Sequence, residues 1–180
     1  LKIRGSGELL ALADQVRSGD PGNVEAQAAR LYWSRTLGRG VGRQPAAGQL
    51  IGANACLDYG YAVLRGHLMR AVLAAGLAPA LGVFHRGRGN AFALADDLIE
   101  PFRPAIDEVA LPLPATASPS DREVKQLLVA AASQRFDVDG HGIPAVAEAL
   151  AQSFGRYIEG DIDRLQVASW QGPSRVGVGD

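Results

Sequence analysis

At 180 residues, 47% apolar and 21% charged, the sequence is long enough to bury a core and too apolar to be disordered. A net charge of −1 excludes a chain drawn as a whole to nucleic acid, so any such contact must come from local patches or a partner subunit. Lys2 and Lys125 are the only lysines among 18 basic residues. The rest are arginine, which suits bidentate phosphate binding, although a compositional bias explains the same excess. A single cysteine, Cys56, excludes an internal disulfide, fits the reducing cytoplasm and is expected in the core. No signal peptide is seen, and the longest apolar run, Ala71 to Phe84, is broken by Gly76, Pro79 and Gly82. The first residue is Leu1 rather than methionine, so a fragment or a trimmed chain is expected.

In chain order the periodicity is helical almost throughout. Leu9, Leu10, Ala13 and Val16 form a short stripe ending at Gly19, with Pro21 beyond it. Asn23 is expected to cap a helix carrying Val24, Ala28, Leu31, Tyr32 and Arg35. A Gly- and Arg-rich loop follows from Gly38 to Gly48. Asn54 is expected to cap the longest helix, with the stripe Leu57, Leu64, Leu68 and Val72, stopped by Gly76 and Pro79. The spacing then predicts a helix over Ala91 to Ile106. Its apolar side is Phe92, Leu94, Ala95, Leu98, Ile99, Phe102 and Ile106, with Pro101 as an interior kink. The segment 111–119 reads as a proline-rich linker across the bundle. Ser120 and Glu123 make a capping box before Val124, Leu127, Leu128 and Ala131. Val146, Leu150, Phe154 and Tyr157 mark the last helix. No convincing strand and no fixed repeat occurs, so the chain reads as one all-α domain over residues 1–171 with a flexible tail at 172–180.

The chemistry gathers around residues 85–100. Asp96, Asp97 and Glu100 fall on the polar side of their helix, where like charges three and four residues apart repel unless neutralised. His85 stands where the apolar run Leu81-Gly82-Val83-Phe84, expected to be buried, emerges into the basic loop Arg86-Gly87-Arg88-Gly89. The intervening loop is short enough to fold His85 over the acidic face. Glu25 is a further carboxylate at a helix start. An imidazole with two carboxylates suits manganese, and magnesium less well. Spacing alone does not separate this set from an ordinary solvated acidic face balanced by Arg103. Asp137-Val138-Asp139-Gly140-His141-Gly142 lacks the closing glutamate of a calcium loop and reads as a turn, and His67 reads as partly buried packing.

Four ordered strings carry a resemblance. They are Gly19 to Trp33 (GDPGNVEAQAARLYW), Asn54 to Arg65 (NACLDYGYAVLR), Gly76 to Arg86, and Asp97 to Pro104 (DLIEPFRP). Together they resemble the CRISPR-associated Cas1 integrase family, in the form found with single-protein effector nucleases. The likeness covers most of Leu9 to Gln171. It implies the family's helical catalytic domain, with Glu25, His85 and Glu100 as ligands of a manganese or magnesium ion and Asp97 as acidic support. It also implies joining of spacer-DNA 3′-hydroxyls into the CRISPR repeat, or strand cutting when water is the nucleophile. Arg86 and Arg88 are expected phosphate contacts, solvated loop arginines being the alternative. The implied partners are double-stranded DNA, the small ferredoxin-like Cas2 protein and a second copy of the chain. The family's N-terminal β-rich domain is not expected within this sequence, and the loop Gly40-Val41-Gly42-Arg43 lacks the aromatic and paired basic residues usual there. Two other readings stay open: a truncated, catalytically silent relic that binds DNA or Cas2 as a scaffold, and a helical metal-binding protein with no nucleic-acid partner.

Overall fold

The computed structural model describes residues 6–17, 19–37, 42–45, 48–85, 87, 89–170 and 172. Arg86, Arg88 and the tail beyond 172 lie outside the described residues. Among the described residues the fold is all-α, the one β pairing being an isolated bridge between Arg135 and Gly142. The helices are α1 (Ser6–Ala13), α2 (Val24–Thr36), α3 (Gly52–Ala74), α4 (Ala93–Leu98), α5 (Arg103–Ala110), α6 (Arg122–Ala131) and α7 (Ile143–Glu159), with a 3₁₀ turn over Glu100–Phe102. No helix among the described residues is long and apolar enough to cross a membrane. The chain divides into two compact units, Leu1–Gln49 and Leu50–Asp180.

In the first unit α1 packs against α2, and the ion pair between Glu8 and Arg35 (2.6 Å) links them. The expected cap by Asn23 does not form. Asn23 is left-handed (φ 50°) and its side chain makes no capping bond. The Asp20 carboxylate instead accepts hydrogen bonds from the amides of Val24 (2.8 Å) and Glu25 (3.0 Å). Left-handed backbone at both Asp20 and Asn23 turns the chain back so that Asp20 faces the helix start. There its negative charge meets unsatisfied N–H groups and the positive end of the helix dipole.

In the second unit α3 is the central element, against which α4, α5, α6 and α7 pack. Its stripe Leu57, Leu64, Leu68 and Val72 is wholly buried, as the periodicity predicts. Cys56 is buried too. Gly60 allows close packing with α5, since a Cβ there would lie 2.5 Å from Ile106 Cγ2. The start of α3 differs from expectation. The helix begins at Gly52, ahead of Asn54, and is closed from outside: the Gly52 amide donates to the Ala117 carbonyl (2.7 Å), and the Ser118 hydroxyl to that of Leu50 (2.8 Å). At the other end Gly76 (φ 71°) turns the chain, and the amides of Gly76 and Leu77 return to the carbonyls of Leu73 and Val72. The Ser120–Glu123 capping box is absent, because Asp121 occupies the N-cap position of α6 and so Glu123 falls one position too early. Phe136 stacks between Phe102 (centroids 4.8 Å) and Trp170 (5.6 Å), which holds the chain after α7 against the core.

The single helix predicted over Ala91 to Ile106 is three pieces: α4, the 3₁₀ turn and α5. Pro101 sits in the 3₁₀ turn, where its missing N–H and its ring end the α pattern. Pro104 stands in the first turn of α5, where its missing N–H costs no helix bond. The apolar side survives the break, since Leu94, Ala95, Leu98, Ile99, Phe102 and Ile106 are all buried.

Candidate active site

The polar side of this broken segment holds the three carboxylates, and each has its own partner. Asp96 is bound by Arg65 of α3, whose Nη2 lies 3.1 Å away, and by the Asn90 amide (2.7 Å). Burial pushes the Asp96 carboxyl up, but the bonds from Arg65 and Asn90 and the nearby charges outweigh it and leave it below the ordinary carboxylate value. The same pair raises the Arg65 guanidinium. The predicted repulsion among the carboxylates is therefore relieved at Asp96 by a residue far away in sequence.

Asp97 does something different. Its side chain is 9% exposed and accepts hydrogen bonds from three consecutive amides, those of Val83, Phe84 (3.1 Å) and His85 (3.0 Å). It also binds the His85 ring, Nδ1 lying 2.7 Å from Oδ1. Burial alone would raise the Asp97 carboxyl, but the bonds from His85, Phe84 and Val83 prevail and lower it, so it is an anion that orders the loop. With Nδ1 facing Asp97, Nε2 is the ring nitrogen left to meet a ligand, the arrangement seen in carboxylate-oriented metal-binding histidines. Gly82 is required by the closeness of this fold-over. A Cβ there would collide with the His85 carbonyl oxygen and come within 2.9 Å of both Ala93 Cβ and Asp97 Oδ2. The expectation that a short loop folds His85 onto the acidic face is met at Asp97. The expectation that Leu81 to Phe84 is buried is not: Leu81, Val83 and Phe84 are exposed, and the backbone of Val83 to His85 is held by polar bonds instead.

Glu100 stands at the 3₁₀ turn, its Oε1 3.0 Å from Arg103 Nη2. Arg103 in turn lies over the Tyr61 ring (4.8 Å), and the Tyr61 hydroxyl donates to buried Asp107. The Nε of Arg103 is buried with no hydrogen-bond partner. Glu25 belongs to the first unit, at the exposed start of α2, its amide held by Asp20. Side chains of Glu25, His85 and Glu100 all reach solvent.

Among the described residues the group of three whose donor atoms lie within 4.8 Å of one another is not the predicted set but Asp137, Asp139 and His141. The segment is a turn, as its sequence predicts. Asp137 accepts from the His141 amide (2.8 Å) and lies 2.8 Å from His141 Nδ1. That bond and the charge of Asp137 raise the His141 imidazole above its ordinary value. Asp137 and His141 border a cavity of about 550 Å³ along α7, with Val146, Leu150, Ser153 and Gln166 among its walls. Sequence reasoning passed over this donor set because it was weighed only against a calcium loop; the Asp-x-Asp-x-His alternation was the available signal.

The helical fold has a counterpart of known structure. A casposase solved bound to an integration product superposes with a TM-score of 0.72 at 18% identity, covering 92% of this chain and 55% of that one; the likeness is one of fold. The sequence profile described as CRISPR associated protein Cas1 matches residues 22–123, and the chain belongs to that family. Among curated relatives, the CRISPR-associated endonuclease Cas1 of Neisseria meningitidis serogroup C (strain 8013) is 50% identical over 99 residues, 55% of this chain and 31% of that protein. A Cas1 endonuclease of Pyrobaculum aerophilum is 28% identical over 152 residues, 81% of this chain and 51% of that protein. One of Thermus thermophilus is 40% identical over 93 residues, 49% of this chain and 30% of that protein. The chain thus spans between about a third and a half of the length of these relatives.

Proposed function

We propose that this chain carries the catalytic centre of a Cas1 protein, which joins DNA 3′-hydroxyls to phosphodiesters of a CRISPR repeat and cuts strands when water replaces the hydroxyl. The observation that carries the reading is the clamp of Asp97 on His85, which turns Nε2 of that ring into a fixed donor. Glu25, His85 and Glu100 would hold the cation. The donor set fits: two exposed carboxylates with one imidazole suit manganese, and magnesium less closely. A divalent cation bound there supplies Lewis-acid stabilisation of the charge that builds on a phosphodiester under attack. The chain's own residues do the orienting. Asp97 fixes the tautomer and direction of His85, while Arg103 and the Tyr61–Asp107 pair hold the turn that presents Glu100. Joining is an exchange, in which one P–O bond forms to the incoming 3′-oxygen as the bond to the departing strand breaks, so no external energy source is needed. In this reading residues 1–171 work as one helical catalytic domain, with Arg86 and Arg88 on DNA phosphates. Double-stranded DNA, Cas2 and a second copy of the chain are its partners.

That the relatives are named endonucleases, and that the casposase was solved on an integration product, supports this choice. The test is joining of a short duplex into a supercoiled, repeat-bearing plasmid with manganese, with and without Cas2. Joined product that disappears on chelation is expected. DNA or Cas2 binding with no joining or cutting under any of these conditions would favour the scaffold reading instead.

A further inference from the structure

We infer that Arg65 is a positioning residue for His85, acting through Asp96 and Asn90 to pin the far end of the loop that carries the imidazole, an inference that rests on the proposed strand-joining function. That loop meets two adjacent carboxylates of α4. Asp97 takes its near end, the amides of Val83, Phe84 and His85, and Asp96 takes its far end, the side-chain amide of Asn90 (2.7 Å). Asn90 also closes a turn, its backbone N–H donating to the Gly87 carbonyl (3.0 Å). Its side-chain oxygen accepts from the Phe92 amide (3.1 Å), at the start of α4, and from Arg65 Nη2 (3.3 Å). The chain that follows His85 is thus closed at both ends, which leaves it far fewer arrangements than a tether held at one.

The two carboxylates need support from outside α4. That helix has six residues, too few to be stable alone, and Pro101 interrupts the segment after it. Arg65 supplies the support from α3, where its neighbours Leu64 and Leu68 are core residues. Its Nε and Nη2 grip both oxygens of Asp96. Nη1 lies 3.7 Å from Met69 Sδ, and the guanidinium sits over the Phe92 ring at 5.9 Å, so all three nitrogens are engaged within the chain. A lysine brings a single point of charge and cannot span Asp96 and Asn90 together. Arg65 therefore ties the exit of the His85 loop to the most deeply buried helix, as Asp97 ties its entry to α4.

The experiment compares Arg65→Lys, Arg65→Gln and Asn90→Ala with wild type. Amide exchange is followed without metal or DNA, and single-turnover joining with manganese and Cas2. Asn90→Ala cuts the loop from the link but keeps the Arg65–Asp96 pair between the helices, so it separates positioning from packing. All three variants should speed exchange at Val83 to His85 by about 10-fold, with exchange in α7 unchanged. Joining at saturating DNA should slow roughly 10- to 100-fold, while the DNA concentration giving half the maximal rate stays at its wild-type value. If Arg65→Gln unfolds, exchange rises everywhere and Asn90→Ala decides alone. Wild-type joining and exchange in Asn90→Ala would overturn the inference and reduce Arg65 to a helix-packing contact. So would wild-type joining in Arg65→Lys, since charge alone would then suffice. A weaker, less salt-dependent DNA affinity in Arg65→Gln at an unchanged saturating rate would overturn it as well, because that pattern belongs to a phosphate contact. The exchange measurement needs no catalysis. Faster exchange in the variants, beside a wild type that joins nothing, would count against the catalytic proposal alone.

Discussion

The Leu50–Asp180 unit contains two aspartate–histidine pairs of nearly the same local geometry. Asp97 lies 2.7 Å from His85 Nδ1, and Asp137 lies 2.8 Å from His141 Nδ1; each aspartate also accepts the amide of its histidine. Their settings differ. Asp137 and His141 are four residues apart in one exposed turn, so the pair closes a loop that the sequence would fold locally in any case. Asp97 extends from α4, whose neighbours Ala95 and Leu98 are core residues, and fastens a loop twelve residues earlier through three amides. The side-chain exposures, 9% for Asp97 against 22% for Asp137, follow that difference. A pair built on a core helix has a fixed direction that catalysis can use; a pair within a turn moves with the turn.

The comparison is broken most severely at Gly82. Gly82→Ala places a methyl group against the His85 carbonyl, which is backbone and cannot step aside, so the loop must leave its seat on Asp97. A loss of about 3 kcal/mol in stability, read by denaturant unfolding, is expected together with loss of joining. Gly140→Ala in the turn of the second pair meets no atom closer than Arg135 at 3.8 Å, and its cost arises only from the positive φ of 82°.

Removing the carboxylates sharpens the contrast. Asp97→Ala leaves three loop amides to water and is expected to cost about 2 kcal/mol, less than a fully buried anion would because the loop is exposed. Asp137→Ala should leave the melting temperature nearly unchanged. Equal losses in the two variants would show that α4 anchors nothing.

The smallest effect is a titration. Burial and the nearby Arg70 lower His67 below 6.5, whereas the Asp137 bond raises His141 above 6.5. The signs follow by linkage. The His141 contribution to stability is complete below 6.5 and lost as pH rises through its folded value. That of His67 is present above 6.5 and lost as pH falls through its folded value. NMR titration of the imidazole protons should place His141 above His67; the reverse order would contradict both assignments.

Much of this was legible in the chain because it is local. The α3 stripe, the stop at Gly76, the buried Cys56 and the break at Pro101 each depend on periodicity or on one residue's backbone chemistry, which neighbours cannot hide. The failures lie where a distant partner decides. Asp20 displaces Asn23 as the cap because of a turn that no propensity encodes, and the start of α3 is closed by Ala117 and Ser118, some sixty residues on. Arg65 neutralises Asp96 across 31 residues, so the crowding foreseen on the acidic face is relieved there. Leu81 to Phe84 deceived for the opposite reason: its apolar composition signals burial, while its backbone is held by a carboxylate and its side chains face outward. Loop length predicts only that His85 can reach the acidic face; its seat on Asp97, through the ring and three amides, depends on side-chain geometry that spacing does not carry.

The central claim is that the pair on α4, and not the pair in the turn, serves the chemistry. Single-turnover joining at saturating DNA with manganese, Cas2 supplied, should fall by at least about 100-fold in His85→Ala, because a lost cation ligand removes stabilisation needed where the phosphodiester breaks. DNA affinity should stay nearly unchanged, because the proposed function assigns it to arginine–phosphate contacts rather than to one imidazole. His141→Ala should join at the wild-type rate. Joining at the wild-type rate by His85→Ala, with loss in His141→Ala, would move the cation to Asp137, Asp139 and His141 and contradict the account.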